Sequence, residues 1–299
     1  MSQVLIKSAI AVTVAIFAGA ISIKLFALNR DRVVTNKQTP VKIEVLSSHE
    51  LPPTLKDTNR IVMLGDSITE RGGNSGGYVW LLQRYFNILY PDRKIEIINA
   101  GISGNKSTDM AARFQRDVLD KKPDLITINV GVNDVWHGFY DFKNNQTHPL
   151  GDLPAGVTLP LYREKLIWMI LAAQKAGIRV VLLSPTPIYE HPDNLENRRL
   201  TQYIKAMSEV ASQNNCLFIN LNMSLTEVIS VYHKHAGMAQ NVVTYDGVHL
   251  NKMGNRIVAY TILRGLGIPD EDIKNIKVEE CADTCQSLSI LNRIITANC

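Results

Sequence analysis

The chain has 299 residues and a net charge of +4, with 45% hydrophobic and 20% charged residues. This composition is typical of a globular protein long enough to bury a large core, and it excludes a disordered chain. No basic cluster is interleaved with aromatic residues, so we expect no nucleic-acid partner.

Residues 1–28 are predicted to form a membrane anchor or signal segment. Residues 8–23 carry no charge and are bounded by Lys7 and Lys24. With the apolar residues that follow, the span reaches about 20 residues, enough for an N-terminal transmembrane helix. A cleaved signal peptide is the alternative, because "AGA" at 18–20 resembles a cleavage site. A buried core helix is the third reading.

We expect the globular domain to be membrane-anchored on the extracytoplasmic side, with a secreted protein as the alternative. The cysteines of the C-terminal tail favour that side, since disulfides form in oxidising compartments. The positive charges that follow the span favour the cytoplasmic side instead.

Residues 29–58 are polar and rich in proline, and they are predicted to be a linker. From 59 to 270, short apolar runs rich in β-branched residues alternate with segments of helical period. The predicted strands are 60–65, 94–99, 124–130, 178–184 and 216–221. The predicted helices are 77–89, 107–120, 159–176, 194–213 and 253–265.

Strands that are apolar on both faces and separated by helices indicate an α/β fold with a parallel sheet covered on both sides. In such sheets functional groups gather at the carboxyl ends of the strands. Four polar, glycine-containing loops are of interest here. Three of them follow predicted strands, and the fourth follows a helical segment after the fifth strand. They are "GDS" at 65–67, "NAGISGN" at 99–105, "GVND" at 131–134 and "DGVHL" at 246–250.

These loops carry the residues that a serine nucleophile needs. A serine hydroxyl attacks poorly until a base removes its proton. His249 can be the base for Ser67, and Asp246 can hold its imidazole if Gly247 permits a tight turn. Read alone, Ser67 is more simply the N-terminal cap of a helix after a buried strand.

Donors for an oxyanion are also present in the loops. Gly104 can offer a backbone N–H at close range, and Asn133 can offer a side-chain amide. Ser67 can add its own N–H at the start of the helix that follows it. The ordinary alternatives are tight-turn roles for Gly104 and Asn133.

The four motifs, in this order and spacing, resemble the GDSL esterase/lipase group, also called SGNH hydrolases, over residues 60–265. The resemblance implies a flavodoxin-like three-layer α/β/α sandwich with five parallel strands. It implies Ser67, Asp246 and His249 as the catalytic triad. It implies Ser67, Gly104 and Asn133 as the oxyanion hole, with no metal and no organic cofactor.

Residues 135–158 form a long connection that is rich in aromatic residues. Such loops often bind substrate, so Trp136 and Tyr140 are candidate substrate-binding residues. The alternative is that these aromatic side chains pack the loop onto its own domain.

Residues 271–299 are predicted to be a tail, with cysteines at 281, 285 and 299. Cys281 and Cys285 can pair locally in an oxidising compartment, or all three can remain free thiols. The sequence leaves this choice and the oligomeric state open.

The resemblance predicts an enzyme that hydrolyses carboxylic esters, with small-acyl or carbohydrate acetyl esters favoured. A lysophospholipase or lipase is the alternative, and so is an O-acyltransferase that uses the same triad. A binding module without catalysis is the third possibility, because a fold does not fix a function.

Overall fold

The computed structural model describes residues 50–236, 241–274 and 276. The main strands are β1 (Arg60–Gly65), β2 (Glu96–Gly101), β3 (Leu125–Asn129), β6 (Arg179–Leu183) and β7 (Leu217–Ile219). They form one five-stranded parallel sheet in the order β2-β1-β3-β6-β7. A small antiparallel hairpin joins β4 (Tyr140–Asp141) to β5 (Gln146–Thr147).

The helices are α1 (Ser67–Gly72), α2 (Tyr78–Leu89), α3 (Ser107–Ala112), α4 (Phe114–Asp117), α5 (Val132–Phe139), α6 (Leu159–Lys175), α7 (Leu195–Gln213), α8 (Leu221–Ala236), α9 (Lys252–Gly265) and α10 (Asp270–Lys274). Their contacts divide the long helices into two groups. Helix α9 packs against α2 and α8, whereas α6 packs against α3 and α7. The sheet lies between them, so the predicted three-layer α/β/α architecture is confirmed.

The centre of the sheet is fully covered, as expected for a parallel sheet between two helical layers. Every residue of β3 is buried, and so are all residues of β1 except the first. Strand β2 lies at the edge of the sheet and is half-exposed. Because β1 lies between β2 and β3, the segments that follow these three strands meet at the carboxyl ends of the strands.

Helix α2 shows how the sequence produces a covered layer. Its buried side chains recur at the three- and four-residue spacing of one helix face, namely Tyr78, Leu81, Leu82, Phe86 and Leu89. Burial of such side chains contributes roughly 1.5–3 kcal/mol each. This face therefore supplies much of the driving force that fixes the helix to the sheet.

Two predictions of local structure are wrong. The single helix expected over 107–120 is interrupted at Arg113 and Val118, which have non-helical backbone angles. The connection expected over 135–158 begins inside a helix, because α5 continues to Phe139. In the first case Arg113 turns inward to bond the ends of two strands. In the second, the apolar spacing of Val132, Val135 and Phe139 specifies a helix.

The predicted N-terminal transmembrane helix is contradicted. Among the described residues, no helix is long and apolar enough to cross a membrane. The two longest described helices, α6 and α7, have charged residues on their exposed faces, including Arg163 and Lys205. The segment 8–23, on which the prediction rested, lies outside the described residues, as do the three cysteines of the tail.

Candidate active site

Ser67 is the first residue of α1, directly after β1. The helix cap is Asp66, whose Oδ1 accepts the N–H of Ile68 at 2.9 Å. Ser67 is therefore not the cap that the simplest reading of the sequence suggested. Its side chain is 8% exposed, and its Oγ lies 2.9 Å from Nε2 of His249.

Asp246 and His249 meet through a tight turn. The Nδ1 atom of His249 lies 2.6 Å from Oδ2 of Asp246, and the backbone N–H of His249 donates to Oδ1 at 2.7 Å. Gly247 has a φ of +91°, a conformation that favours glycine and lets the carboxylate face the imidazole. The structure thus places Ser67, His249 and Asp246, which are spread over the chain, in one row of hydrogen bonds.

The hydrogen bonds in this turn keep Asp246 ionised. Partial burial alone would raise the pKa of the Asp246 carboxyl. The backbone N–H and imidazole of His249 and the N–H of Val248 outweigh it, so the pKa lies below its ordinary value. An ionised carboxylate at this position holds the proton on Nδ1, which leaves Nε2 able to accept the proton of Ser67.

Gly104 lies in the loop that follows β2, and Asn133 lies in the first turn of α5, which follows β3; β2 and β3 are the two neighbours of β1. Gly104 has a φ of +77°, which a residue with a Cβ adopts only with strain. Asn133 is 5% exposed, and its Nδ2 donates to the carbonyl of Asn105 at 3.0 Å. That bond uses one of the two amide hydrogens and fixes the side chain, so the second hydrogen remains for an oxyanion.

Asp134 connects the two loops beneath the site. It is buried and accepts hydrogen bonds from the N–H and the hydroxyl of Ser107 at the start of α3. Burial raises the pKa of Asp134 to about 6, although the bonds from Ser107 lower it. This residue therefore joins the start of α5, which carries Asn133, to the start of α3, which follows the loop of Gly104.

Asp66 is a buried acid beneath the nucleophile. Burial raises its pKa to about 7, against the lowering effect of the Ile68 N–H, and the charge of Asp134 raises it further. Its Oδ2 atom has no hydrogen-bond partner among the described residues. The helix cap behind Ser67 therefore carries an acid that is partly protonated near neutral pH.

Arg113 and Glu190 are site residues that the sequence analysis missed. The Arg113 guanidinium donates to the carbonyls of Gly65 and Ala100 and to Oδ1 of Asn105, so it ties together the loops after β1 and β2. Glu190 accepts hydrogen bonds from residues 242–244, just before Asp246. Neither residue belongs to a motif. The only signals are an arginine on the buried face of a predicted helix and an acid after the fourth predicted strand.

A cavity of about 250 Å³ opens beside His249. Most of the side chains that line it are polar, namely Arg71, Asn74, Ser75, Tyr245, Asn251, Lys252 and Asn255, whereas Ile68 and Leu250 are apolar. The ring of Tyr245 stacks on the imidazole of His249 with 5.8 Å between centroids, and its side chain is 55% exposed. Hydrogen-bonding groups for a ligand can therefore come from Arg71, Asn74, Ser75 and Lys252, because the amides of Asn251 and Asn255 already bond backbone groups.

Trp136 and Tyr140 belong to an aromatic cluster with Phe142 and Tyr189. The Trp136 ring lies 4.9 Å from that of Phe142 and 6.0 Å from that of Tyr189. Its Nε1 donates to the Tyr189 hydroxyl at 3.2 Å. A Cβ on Gly247 would approach the Tyr189 ring to 2.7 Å, so the cluster packs against the turn that carries Asp246.

The described residues contain no group of three or more histidine, cysteine or acidic side chains arranged to hold a metal ion. Cys216 is a half-buried free thiol, away from the row of site residues.

The comparison with protein families bears on this arrangement. The sequence model of the GDSL-like Lipase/Acylhydrolase family matches residues 63–257, a span that includes the polar loops of the site. The chain belongs to this family. The resemblance drawn from the four motifs is confirmed, and the protein is a GDSL-type esterase.

GDSL relatives support this assignment in sequence and in structure. An acetylxylan esterase of Geobacillus stearothermophilus is 29% identical over 223 residues, which cover 70% of this chain and 94% of that protein. Its crystal structure superposes with a TM-score of 0.60 at 28% identity, covering 71% of this chain and 95% of that one. Solved structures of that enzyme include catalytic mutants in which a serine, an aspartate or a histidine is replaced by alanine.

Two further relatives carry different names. An uncharacterized lipoprotein of Bacillus subtilis is 34% identical over 133 residues, or 44% of this chain and 49% of that protein. Esterase TesA of Pseudomonas aeruginosa is 25% identical over 191 residues, or 63% of this chain and 78% of that protein.

Proposed function

We propose that this GDSL esterase hydrolyses acetyl esters of carbohydrates through an acyl-enzyme on Ser67. One observation carries the proposal. The Ser67 hydroxyl lies 2.9 Å from Nε2 of His249, whose Nδ1 lies 2.6 Å from Asp246. These distances are those of a nucleophile, its base and the group that orients the base.

In the first half of the reaction, Oγ of Ser67 attacks the carbonyl carbon of the ester, and its proton passes to Nε2 of His249. The carbonyl electrons move onto oxygen, and the N–H groups of Ser67 and Gly104 with the amide of Asn133 stabilise that oxyanion. As the oxyanion collapses, the bond to the alcohol breaks. The alcohol leaves with the proton from Nε2, and the acetyl group remains on Ser67.

In the second half, water replaces the alcohol. His249 accepts a proton from the water as its oxygen attacks the acetyl carbon, and the same donors stabilise the second oxyanion. Collapse breaks the bond to Oγ, which takes the proton back from Nε2, and acetic acid leaves. Asp246 remains ionised throughout, because its role is to orient and stabilise the imidazolium.

The polar cavity beside His249 supports a carbohydrate as the alcohol. Its cationic, amide and hydroxyl side chains at Arg71, Asn74, Ser75 and Lys252 can bond sugar hydroxyls. The acetylxylan esterase among the relatives supports the same substrate class. Trp136 and Tyr140 are proposed to contact the sugar from the aromatic cluster on the other side of the Asp246 turn.

We further propose that the enzyme acts outside the cytoplasm. The relative from Bacillus subtilis that is named a lipoprotein supports this location. Protease treatment of intact cells tests it, because an extracytoplasmic enzyme should be digested while a cytoplasmic marker survives.

The test of the substrate class is a panel of acetylated xylo-oligosaccharides, lysophospholipids and p-nitrophenyl esters from acetate to laurate, assayed with the wild type and with Ser67→Ala. We expect the highest kcat/KM on acetyl esters and the release of acetate from the oligosaccharides. A kcat/KM that rises towards laurate, or activity on lysophospholipids alone, would replace the proposal with a lipid ester hydrolase. Transfer of the acetyl group to an added sugar would identify an acyltransferase.

A further inference from the structure

Glu190 makes an unusual set of contacts for a buried acid. It lies in the loop after β6 and is 3% exposed. Its Oε1 accepts the N–H groups of Val243 at 2.9 Å and Thr244 at 2.7 Å and the Thr244 hydroxyl at 2.6 Å. Its Oε2 accepts the N–H of Val242. All four donors belong to three consecutive residues that end two positions before Asp246.

The anchored residues control the turn that follows them. The Thr244 hydroxyl, which donates to Glu190, accepts the N–H of Gly247 at 3.2 Å. The N–H of Tyr245 donates to the carbonyl of His249 at 3.0 Å and closes the turn. A chain of hydrogen bonds therefore leads from the Glu190 carboxylate to the turn that carries the imidazole, and Asn251 bonds the same three residues through the carbonyls of Val242, Val243 and Thr244.

A second contact joins the same two segments. Tyr189, next to Glu190, has a φ of +58°, which is rare for a residue with a large side chain. Its ring packs so closely on Gly247 that a Cβ there would lie 2.7 Å from it. Non-glycine residues in this conformation persist where the surroundings fix them, and they cluster at functional sites.

We propose that Glu190 is a positioning residue that holds the Asp246–His249 turn against Ser67. The inference rests on the proposed function. Glu190 bonds neither Ser67 nor His249, so it acts through the backbone of residues 242–244. A carboxylate suits this task because charge-assisted hydrogen bonds to N–H groups are stronger than neutral ones. A displacement of the imidazole by about 1 Å can lower turnover by about a hundredfold.

The sharpest variant is Glu190→Gln. It keeps the size of the side chain, but both carboxylate oxygens accept hydrogen bonds, so the amide must turn an NH₂ group towards at least one backbone N–H. We expect kcat for p-nitrophenyl acetate to fall by about 10- to 100-fold, with KM within about threefold of the wild type. The rate at which a fluorophosphonate labels Ser67 should fall in parallel. The measurements are made at a temperature where circular dichroism shows complete folding.

Two further variants keep the test decisive. Thr244→Val removes only the hydroxyl between Glu190 and Gly247. It replaces Glu190→Gln in the test if that variant does not fold. We expect its kcat to fall by about 3- to 10-fold. Glu164→Gln is the matched control, because the Glu164 side chain is 65% exposed and pairs only with its neighbour Lys165 in the ion pair observed. Its kcat and labelling rate should equal those of the wild type.

Wild-type kcat and labelling in a folded Glu190→Gln protein would overturn the inference, as would a loss confined to KM. Wild-type values in both Glu190→Gln and Thr244→Val would leave the turn with no dependence on Glu190. A different result separates the two proposals. If the wild type is labelled but hydrolyses no acetyl ester, the proposed substrate class fails, while the labelling rates still decide the role of Glu190.

Discussion

Asn133 is the residue of the candidate site whose role can be isolated most directly, because one hydrogen of its amide already holds it to the carbonyl of Asn105. In Asn133→Ala both hydrogens are lost, and the oxyanion loses a donor while Ser67 and His249 stay in place. We predict that kcat falls by about 100- to 1,000-fold. KM should change little, since the donor acts mainly on the transition state.

Steady-state kinetics on p-nitrophenyl acetate check this prediction, with Asn87→Ala as the control. Asn87 is exposed on α2 and should give wild-type kinetics. A folded Asn133→Ala enzyme with unchanged kcat would remove Asn133 from the oxyanion hole.

Asp66 makes the stability of the protein depend on pH. Its pKa is raised from 3.8 to about 7 in the folded state, so protonation favours folding. That contribution is complete below the ordinary pKa of the group and is lost as the pH rises through about 7. Asp66→Asn keeps an oxygen for the Ile68 N–H and removes the charge. We predict that it raises the free energy of unfolding at about pH 8, with a gain that shrinks towards about pH 4.

Denaturant unfolding at several pH values measures this difference. Asp92→Asn replaces an exposed aspartate and should change the unfolding free energy little at either pH. If Asp66→Asn changed the unfolding free energy by the same amount at about pH 4 and about pH 8, a raised pKa of Asp66 in the folded state would be contradicted.

At the scale of single residues, the sequence was informative where chemistry restricts residue type. Ser67, Asp246 and His249 lie in recognisable motifs, and the structure brings them within hydrogen-bond distance, although their catalytic roles stay a prediction. Glu190 and Arg113 could not be found in the same way. Each binds backbone groups from distant loops, and a backbone partner leaves no trace in the residue types of the sequence.

Among the elements, the break between α3 and α4 has a consequence for the site. It turns Arg113 inward, where the guanidinium bonds the ends of β1 and β2 and pairs with Asp117 at 2.8 Å. Arg113→Met keeps much of the apolar stem but removes the guanidinium hydrogen bonds to the carbonyls of Gly65 and Ala100 and to Oδ1 of Asn105. We predict a loss of about 2–3 kcal/mol in the free energy of unfolding. The loss is not larger because Asp117 retains its pair with Arg116, so its charge is not left unpaired.

Chemical denaturation checks this value, and Arg116→Met is the control. The side chain of Arg116 is 69% exposed, so its replacement should lower the free energy of unfolding much less than that of Arg113. Equal losses in the two variants would mean that the inward turn of Arg113 adds nothing beyond a surface ion pair.

The sequence predicted the elements well where a buried face sets their period. Each predicted strand overlaps an observed strand. Each predicted helix other than 107–120 overlaps one observed helix. The error at 107–120 has a tertiary cause, because the helix is interrupted where Arg113 reaches two strand ends. The error at 135–158 is local, because α5 begins directly after Gly131, whose φ of +133° turns the chain from β3 into the helix.

For the whole molecule, the order of the strands explains why residues so far apart in sequence meet. With β1 between β2 and β3, the segments that follow these strands and carry Ser67, Gly104 and Asn133 lie side by side. The turn at 246–249 reaches them just before α9, which packs against α2. Alternating strands and helices predicted a parallel sheet, but they left the order of its strands open. The prediction of a transmembrane helix, which rested on hydrophobicity alone, was wrong.

The central claim is that Ser67 is the nucleophile and that His249 activates it. Mass spectrometry of the protein after treatment with a fluorophosphonate tests this most directly. We predict one adduct, mapped to Ser67 in the wild type, absent in Ser67→Ala and formed at least a hundredfold more slowly in His249→Ala. An adduct at another residue, or equal labelling of Ser67 in the His249→Ala protein, would contradict the account.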